Sequence, residues 1–253
     1  MNMRQKILSS LRRAIDSYNL ISDGDRIAVG VSGGKDSLVL LQALHNYSKF
    51  APYKFEVVGI TIDMFGDSDF NSIKHFCEKE NIEYHIIPSD IYKIVFEERK
   101  EKSPCSLCSK LRRGMLNTTA IDLKCNKLAL GHSMDDVVHT FLLSLCYEGR
   151  INTLSPLSYL DRTGITVIRP LYLTDERDII AASHNLPIVK SKCPVDKHTK
   201  REYVKDIVKF IQQEIPFVKD RIFGAITNPD RINLPPKMIE REDFVYKKKD
   251  DQN

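Results

Sequence analysis

The stretch 26-RIAVGVSGGKDSLVLLQAL-44 decides the fold of this chain. It begins as an apolar strand, passes through the turn 32-SGGKDS-37, and continues as an apolar helix. A turn in this position presents backbone N–H groups and the N-terminus of a helix to an anion. Its two glycines permit a close approach of the backbone, its two serines supply hydroxyl groups, and its lysine supplies a positive charge. The sequence therefore predicts a phosphate-binding turn between a strand and a helix.

Strand and helix patterns alternate along the rest of the chain. Strands are predicted at 54–63, 83–88, 126–133 and 166–171, and helices at 71–82, 91–102, 110–125, 134–149, 174–186 and 201–215, with Thr174 as a predicted N-cap. This alternation favours an α/β fold with a mostly parallel sheet flanked by helices on both faces. We expect an N-terminal helix at 1–24, one α/β domain at 25–215, and a C-terminal extension at 216–253 that ends in a polar tail.

The composition is that of a globular protein, because 42% of the residues are hydrophobic and 28% are charged. No apolar run approaches the roughly 18 residues that a membrane helix needs, and the N-terminus lacks the apolar core of a signal peptide. We therefore expect a cytoplasmic protein without a membrane partner. The net charge of +4 is too small to establish a polyanionic partner, although basic residues bunch at 99–113, 197–209 and 247–249.

Six cysteines in a reducing compartment are not expected to form a disulfide framework. Cys105 and Cys108 form a C-x-x-C pair on a predicted loop before a basic helix, and Cys193 lies in a similar position before the helix at 201–215. The pair is consistent with half of a zinc site, a dithiol redox switch or part of an iron–sulfur ligand set. A closed zinc site needs four ligands, and His198 is a candidate to complete one. The remaining three cysteines are predicted to pack in the core: Cys77, Cys125 and Cys146.

The segment 131-GHSMDD-136 also follows a predicted strand and opens a predicted helix. Two adjacent carboxylates, Asp135 and Asp136, are favoured at a helix N-terminus by the helix dipole, and they can serve simply as caps. Beside a nucleotide-binding turn, a carboxylate pair is also a natural Mg²⁺ site. His132 is open to three interpretations: a cap, a core histidine or a nucleotide contact.

The turn 32-SGGKDS-37 resembles the PP-loop of the N-type ATP pyrophosphatases. It does not fit a Walker A loop, because only three residues separate Gly30 from the glycine–lysine pair, and the fingerprint G-x-G-x-x-G is absent. The resemblance implies an adenine nucleotide alpha hydrolase-like fold and cleavage of ATP between its α and β phosphates, with transfer of AMP to a carbonyl-type oxygen. It implies an adenosine contact for Asp63. It also implies that six residues hold the pyrophosphate and its metal, with Asp36 catalytic: Ser32, Gly33, Gly34, Lys35, Asp36 and Ser37.

The second polar segment resembles the G-H-x-x-D-D-x-x-x-T element of tRNA-modifying PP-loop enzymes. Ser133 and His139 depart from that element, because the relatives usually have His and Glu there. The run 167-VIRPL-171, followed by Glu176, resembles the same group and implies a nucleotide or substrate contact for Arg169. The matched residues imply nucleotide contacts for Gly131, His132 and Asp136. They also imply a Mg²⁺ ion held by Asp36 and Asp135. Thr140 is the last matched residue of the element.

The whole set of motifs resembles the tRNA 2-thiocytidine synthetase family (TtcA-type) over roughly residues 26–210. The shared features are SGGKDS, the element C-x-x-C-S-x-L-R-R-G, the element G-H-x-x-D-D, and a late cysteine before an R-x-x-V-K helix. The resemblance implies an ATP-dependent tRNA sulfurtransferase that adenylates C2 of an anticodon-loop cytidine, at position 32, and replaces its oxygen with sulfur.

The same resemblance implies cofactors and partners. ATP and Mg²⁺ would bind at the PP-loop, and a 4Fe-4S cluster with one open iron would be held by Cys105, Cys108 and Cys193. The partners would be tRNA, a sulfur donor such as a cysteine desulfurase, and a second copy of the chain in a homodimer. Five basic residues would lie near tRNA phosphates: Lys110, Arg112, Arg113, Lys200 and Arg201.

Several alternatives remain open at the level of sequence. A PP-loop thiolase can use the same cysteines as a persulfide or disulfide without a cluster. A related enzyme can modify uridine, and a lysidine-forming ligase shares the PP-loop but has no need of C-x-x-C. The chain can also be a non-catalytic RNA-binding or iron–sulfur carrier protein. Asp36, Asp63 and the acid pair at 135–136 argue against a carrier, because a pure binder has no need of a metal–ATP site.

Overall fold

Strands and helices alternate along the chain, as the sequence pattern predicts. The computed structural model describes residues 3–66, 68–99, 104–190, 193 and 200–234. The strands are β1 (Asp25–Gly30), β2 (Phe55–Asp63), β3 (Glu83–Pro88), β4 (Lys127–Ala129), β5 (Leu157–Leu160) and β6 (Ile165–Ile168). The helices are α1 (Met3–Tyr18), α2 (Lys35–Ser48), α3 (Asn71–Glu80), α4 (Pro104–Asp122), α5 (Met134–Leu143), α6 (Glu176–Ala182), α7 (Lys200–Glu214) and α8 (Val218–Ile226). Single π-helical turns occupy Lys93–Glu98 and Ser144–Glu148.

The strands form one six-stranded sheet in the order β3-β2-β1-β4-β6-β5. Four neighbouring pairs are parallel, and β5 pairs antiparallel with β6 at the edge. The predicted fold class, a mostly parallel sheet flanked by helices, is therefore confirmed. After β1 the chain builds outward to β2 and β3, and it then returns to place β4 on the other side of β1. In such sheets the carboxyl ends of the two strands at the reversal open a crevice for ligands.

Strand β1 lies in the centre of the sheet and is buried on both faces, as expected for parallel strands covered by helices. Ile27 and Val29 pack into a core with α1, α2, α3 and α6, whereas Ala28 packs into a second core with α4. A third, smaller cluster joins α7 and α8 to α5 through Val204, Val208 and Val218. The crevice is consequently built on the ends of two strands, β1 and β4, that lie in the buried middle of the sheet.

Helix α4 begins earlier than the sequence pattern indicates. It starts at Pro104, so Cys105 and Cys108 lie in its first two turns and not on a loop, which corrects the predicted position of both residues. Proline is favoured at the first position of a helix because it has no N–H to satisfy and its φ is already helical. The two cysteines are therefore held by a regular helix, which starts six residues ahead of the start that we predicted from the apolar spacing at 110–125.

Other local predictions also need correction. Helix α6 is capped by Asp175, whose side chain accepts the N–H of Arg177, and Thr174 is instead buried with its hydroxyl hydrogen-bonded to Ser10. Cys77 and Cys125 are buried as predicted, but Cys146 is exposed on a π-helical turn.

The C-terminal part of the chain differs from the sequence prediction in one helix. Helix α8 falls within the segment that we assigned to a C-terminal extension. His198 and the tail at 235–253 lie outside the described residues, and the division into domains stays a prediction. Among the described helices, none is both long and apolar enough to cross a membrane.

Gly131 lets the segment after β4 rest directly on the turn after β1. A Cβ atom at this position would stand 3.0 Å from the carbonyl carbon and oxygen of Asp36 and 3.1 Å from the nitrogen of Ser37. These neighbours are backbone atoms inside the first turn of α2, so they cannot rotate away. The absence of a side chain at Gly131 therefore sets the spacing between the two loops that form the crevice.

We expect Gly131→Ala to lower the free energy of unfolding by about 1–3 kcal/mol, because the added methyl group forces the two loops apart. Thermal and urea denaturation measure the change. Gly114→Ala is the matched control, since Gly114 lies in the exposed interior of α4 and a Cβ there meets nothing within 4 Å. The control is expected to stabilise the protein by about 0.5–1 kcal/mol. Equal stability of the Gly131→Ala protein and the wild type would contradict the contact.

Candidate active site

The turn at 32–37 is held in shape by Ser37. The Ser37 hydroxyl accepts the N–H of Ser32 at 3.1 Å and donates to the carbonyl of Gly34 at 2.9 Å. Gly34 is the N-cap of α2 and supplies no side-chain cap, so no side chain occupies the position in front of the first N–H groups of α2. The turn thus presents its helix N-terminus to an anion, as the sequence predicts.

Gly33 adopts a conformation that favours glycine, with φ of +85°. Its carbonyl accepts the N–H of Val189 at 3.0 Å, and a Cβ at this position would stand 3.2 Å from the Cβ of Val189. The segment before Cys193 therefore packs directly on the phosphate-binding turn. This contact explains why Val189 and Lys190, which the sequence analysis did not single out, line the same cavity as the turn.

Lys35 lies among carboxylates. Its ammonium group donates to Asp36 at 3.0 Å and to Glu176 at 2.8 Å. Burial raises the pKa of Asp36, and the nearby charges of Asp136 and Glu176 raise it further against the opposing charge of Lys35. Asp36 and Glu176 share the charge of Lys35, while Asp136 is paired with Arg201. In the described ranges, no group of three or more His, Cys, Asp or Glu side chains is arranged to hold a metal ion.

Asp135 and Asp136 have different roles at the start of α5. Asp136 forms a capping box with Ser133: its carboxylate accepts the Ser133 N–H at 3.0 Å, and its own N–H donates to the Ser133 hydroxyl at 3.4 Å. Ser133, one of the two departures from the family element, therefore caps the helix. The other oxygen of Asp136 accepts a hydrogen bond from Arg201 at 3.2 Å.

Asp135 is buried, and both of its carboxylate oxygens have protein partners. One oxygen accepts the N–H of Glu176 at 2.7 Å, and the other accepts a hydrogen bond from the ammonium group of Lys219. A carboxylate held in this way has no free oxygen to offer a metal. The same holds for Asp36, both of whose oxygens accept hydrogen bonds from Lys35 at 3.0 Å, so the assignment of Asp36 and Asp135 as Mg²⁺ ligands stays a prediction.

His132 is an uncharged hydrogen-bond partner of Arg169. The Nε group of Arg169 donates to Nδ1 of His132 at 3.2 Å, and another guanidinium nitrogen of Arg169 donates to the carbonyl of Ser155 at 2.5 Å. Burial lowers the pKa of His132 to about 4, and the positive charges of Arg169, Arg201 and Arg113 add to this effect. Because Nδ1 accepts a hydrogen bond, the ring proton is on Nε2, and His132 acts as a neutral donor.

A cavity of about 380 Å³ lies between the phosphate-binding turn, the ends of β1 and β2, and helix α4, and its volume is that of a small-molecule site. Its walls are mostly apolar, with polar groups at the turn; its lining includes Gly30, Ser32, Gly34, Ile60, Ile62, Met64, Phe65, Phe70, Arg112, Leu116, Leu130, Val189 and Lys190. Asp63 itself is buried, and its carboxylate accepts the N–H of Phe65 at 3.1 Å. Asp63 thus shapes the turn that brings Met64 and Phe65 to the cavity.

One face of helix α4 connects the cysteines to this cavity. Cys108, Arg112 and Leu116 follow one another at four-residue spacing, so they share a face of the helix. Arg112 and Leu116 line the cavity, and the thiol of Cys108 lies 3.6 Å from the sulfur of Met64, which also lines it. The C-x-x-C pair therefore lies at one end of the cavity wall that α4 forms, and the phosphate-binding turn lines the same cavity.

The structure brings Cys193 close to the C-x-x-C pair. Burial raises the pKa of Cys108, the charge of Arg112 lowers it, and the thiol groups of Cys193 and Cys105 act on it electrostatically and raise it. The thiols of Cys105 and Cys193 are thus near neighbours of Cys108. Among the six cysteines, all of which are in the described part of the chain, none forms a disulfide. The three-cysteine ligand set for a 4Fe-4S cluster stays a prediction, because no three His, Cys, Asp or Glu side chains among the described residues stand together as a metal site.

The five predicted RNA-binding residues have different environments. Lys110, Arg112 and Arg113 are exposed on α4, where Arg112 also lines the cavity. Lys200 is exposed and lies over the ring of Tyr147 at 4.5 Å. Arg201 is the exception, because its guanidinium group donates to Asp136 and Thr140 within the site. Arg201 is thus part of the acid-pair structure, and its contact with RNA stays a prediction.

Comparisons with known proteins agree with these features. A family model described as a PP-loop domain matches residues 3–209. A tRNA-cytidine(32) 2-sulfurtransferase of Geobacter sulfurreducens is 40% identical over 231 residues, which cover 88% of this chain and 90% of the relative. The protein of the same name from Geobacter metallireducens is 38% identical over 244 residues, covering 94% and 95%.

A solved structure is similar over most of the fold. The U34-tRNA thiolase NcsA from Methanococcus maripaludis, described with its 4Fe-4S cluster, superposes with a TM-score of 0.72 at 28% identity. The match covers 88% of this chain and 77% of that one.

We expect His132 to remain neutral down to about pH 4 in the folded protein. Its folded pKa lies below its ordinary value of 6.5, so the unfolded chain takes up the proton first as the pH falls. The contribution of His132 to folding stability is therefore complete above the ordinary value and is lost between pH 6.5 and about pH 4. NMR titration of the ring protons measures the pKa, with His132→Gln used to assign the signal. A transition near the ordinary value would contradict the buried neutral state.

Proposed function

Because the chain belongs to the PP-loop family and, within it, to the tRNA-cytidine(32) 2-sulfurtransferases, we propose that it is an ATP-dependent tRNA thiolase with the same reaction. The substrate is a tRNA, and the product carries sulfur in place of the C2 oxygen of an anticodon-loop cytidine.

The single observation that carries this proposal is the shared wall formed by α4. The face that bears Arg112 and Leu116 lines the same cavity as Ser32 and Gly34 of the phosphate-binding turn. One turn before Arg112, the same face bears Cys108, which lies against Met64 at the edge of the cavity. A thiolase must bring activated oxygen and incoming sulfur to one carbon atom. An ATP site and a cysteine site on one cavity supply that geometry.

The first step is adenylation of the base. The amide groups of the turn and the charge of Lys35 bind the β and γ phosphates, and Asp36 holds the metal that accompanies them. The C2 oxygen of cytidine attacks the α-phosphorus, a P–O bond forms to the base, and pyrophosphate leaves with the electrons of the broken bond. The apolar wall at Ile60, Ile62 and Phe70 is suited to the adenine ring.

The second step replaces the activated oxygen with sulfur. A sulfide-level sulfur attacks C2, the C–O bond breaks, and AMP leaves with the oxygen, so no net oxidation or reduction of the base occurs. Cys105, Cys108 and Cys193 would hold a 4Fe-4S cluster, which supplies a site that keeps sulfur at this oxidation level beside the cavity. Arg112 offers a positive charge to Cys108 and to the cavity at once, which stabilises negative charge on sulfur.

The tRNA is held through its phosphates by the exposed basic residues Lys110 and Arg113 of α4 and Lys200 of α7. Such contacts position the RNA without reading its sequence, and they weaken as salt rises. The sulfur reaches the site from a donor such as a cysteine desulfurase, and the protein acts in the cytoplasm as a homodimer. The donor, the location and the dimer are the parts of the proposal that rest on the family resemblance alone.

Thiolation of uridine is a second candidate, because the similar solved structure is a U34-tRNA thiolase. Sequence identity favours cytidine. The relatives that are 40% and 38% identical are cytidine enzymes, whereas the uridine enzyme is 28% identical. Curated relatives with sulfurtransferase activity also disfavour the non-catalytic carrier that the sequence left open.

The base is identified by mass analysis of tRNA nucleosides from a bacterial strain without its own cytidine thiolase, before and after this chain is introduced. We expect 2-thiocytidine to appear with the wild type and to be absent with Asp36→Asn. The substitution removes the carboxylate that would hold the metal ion of the bound ATP. Asp161→Asn, in the exposed turn after β5, is the matched control and is expected to behave as the wild type. A change in thiouridine without 2-thiocytidine would replace the proposed substrate with uridine.

Substitution of the cysteines separates the two steps. We expect Cys105→Ser, Cys108→Ser and Cys193→Ser each to abolish thiolation while tRNA-dependent release of pyrophosphate persists, because adenylation uses the turn and not the thiols. Iron content of anaerobically purified protein is expected to fall in each variant. Cys146→Ser is the control, because Cys146 is an exposed cysteine that is not among the three predicted cluster ligands. Full thiolation by a colourless, iron-free wild type would favour a persulfide route instead.

A further inference from the structure

Lys219 of helix α8 forms a buried ion pair with the acid pair of α5. Its side chain is 12% exposed and that of Asp135 is 5% exposed, and its ammonium group donates directly to Asp135. A second carboxylate, that of Asp175, lies 3.9 Å from the same ammonium group. The pair joins a C-terminal helix to the segment that follows β4.

The contacts continue from this pair to the phosphate-binding turn. The second oxygen of the Asp135 carboxylate accepts the N–H of Glu176 at 2.7 Å, which fixes the first turn of α6. The side chain of Glu176 then accepts a hydrogen bond from Lys35 at 2.8 Å, and Lys35 also donates to Asp36 at 3.0 Å. Every link in this series is a charge-assisted hydrogen bond, which is the stronger class.

Helix α8 lies outside the PP-loop domain match, which ends at residue 209. It is nevertheless packed firmly, because Val218, next to Lys219, is buried with Val204 and Val208 of α7 against α5. The backbone of Lys219 is therefore fixed relative to Asp135. The site consequently has a structural element that the domain match does not include.

The burial of this pair distinguishes it from the ion pairs on the surface. Lys209 and Asp206 of α7 form a pair 3.0 Å apart in which both side chains are 70% exposed, and such pairs contribute little. Loss of one partner from a buried pair leaves an uncompensated charge that must find a new partner. Because the other oxygen of Asp135 accepts the N–H of Glu176, movement of an unpaired Asp135 is passed to the residue that binds Lys35.

We propose that Lys219 is a positioning residue for the phosphate-binding turn: it fixes Asp135, Asp135 fixes the first turn of α6, and Glu176 on that turn orients the ammonium group of Lys35 toward the nucleotide phosphates. The inference rests on the proposed ATP site. It adds a residue of α8 to the groups on which that site depends.

The test is a double-mutant cycle on ATP affinity, measured by calorimetry with the full-length protein and without tRNA. We expect Lys219→Met to weaken ATP binding about tenfold, the loss typical of one charge-assisted hydrogen bond. In a Glu176→Gln background the same substitution is expected to change the affinity less than about twofold, because the series is already interrupted. A purely structural role of Lys219 would give the same loss in both backgrounds, and that result would overturn the proposal.

Three controls complete the experiment. Lys209→Met makes the same substitution in an exposed pair and is expected to leave ATP affinity unchanged. Lys219→Arg keeps the charge and the donor and is expected to restore most of the affinity, while thermal denaturation shows that each variant is folded. If Lys219→Met does not fold, Lys219→Gln replaces it in the cycle, because it retains a donor to Asp135.

The outcomes also separate this inference from the proposed function. ATP binding by the wild type with unchanged affinity in the folded Lys219 variant would overturn the inference alone. Failure of the wild type to bind ATP would overturn the proposed function and the inference with it.

Discussion

The close contact between the segment after β4 and the turn after β1 is the constraint on which the site depends. At Gly131 the two segments approach to a distance that leaves no room for a Cβ beside the backbone of Asp36 and Ser37. The contact lies at the point where the strand order reverses, and there the ends of β1 and β4 open a crevice. Because both segments enter helices at this point, two helix N-termini, with their partial positive charge, meet in one place.

The chemistry of the site follows from which helices cover that crevice. Helix α4 covers one side and brings Arg112 and Leu116 to the cavity, with Cys108 one turn earlier. Since α4 starts at Pro104, the cysteines are positioned by a regular helix and keep a defined direction relative to the nucleotide cavity. A sulfur site and a nucleotide site on one rigid wall suit a reaction in which an activated oxygen is exchanged for sulfur.

The acidic residues at the crevice are organised by cations from the C-terminal helices. Arg201 of α7 binds Asp136, and Lys219 of α8 binds Asp135. Two adjacent carboxylates without partners would repel each other, and the two cations offset that repulsion. Each cation also holds its carboxylate in a different orientation. As a result, Asp136 caps α5 and Asp135 holds the backbone N–H of Glu176 at the start of α6.

The sequence by itself determined the local features whose cause is local. Strand–turn–helix patterning predicted the parallel sheet, and the turn 32-SGGKDS-37 predicted its own ligand class, because backbone amides and Lys35 are adjacent in the chain. Only the tertiary structure decided how distant residues divide their roles. No periodicity could show that Lys219 pairs with Asp135, that Arg201 binds Asp136, or that Val189 packs on Gly33. Those contacts depend on how α7 and α8 pack against α5 and on long-range closure of the chain, which a local pattern does not encode.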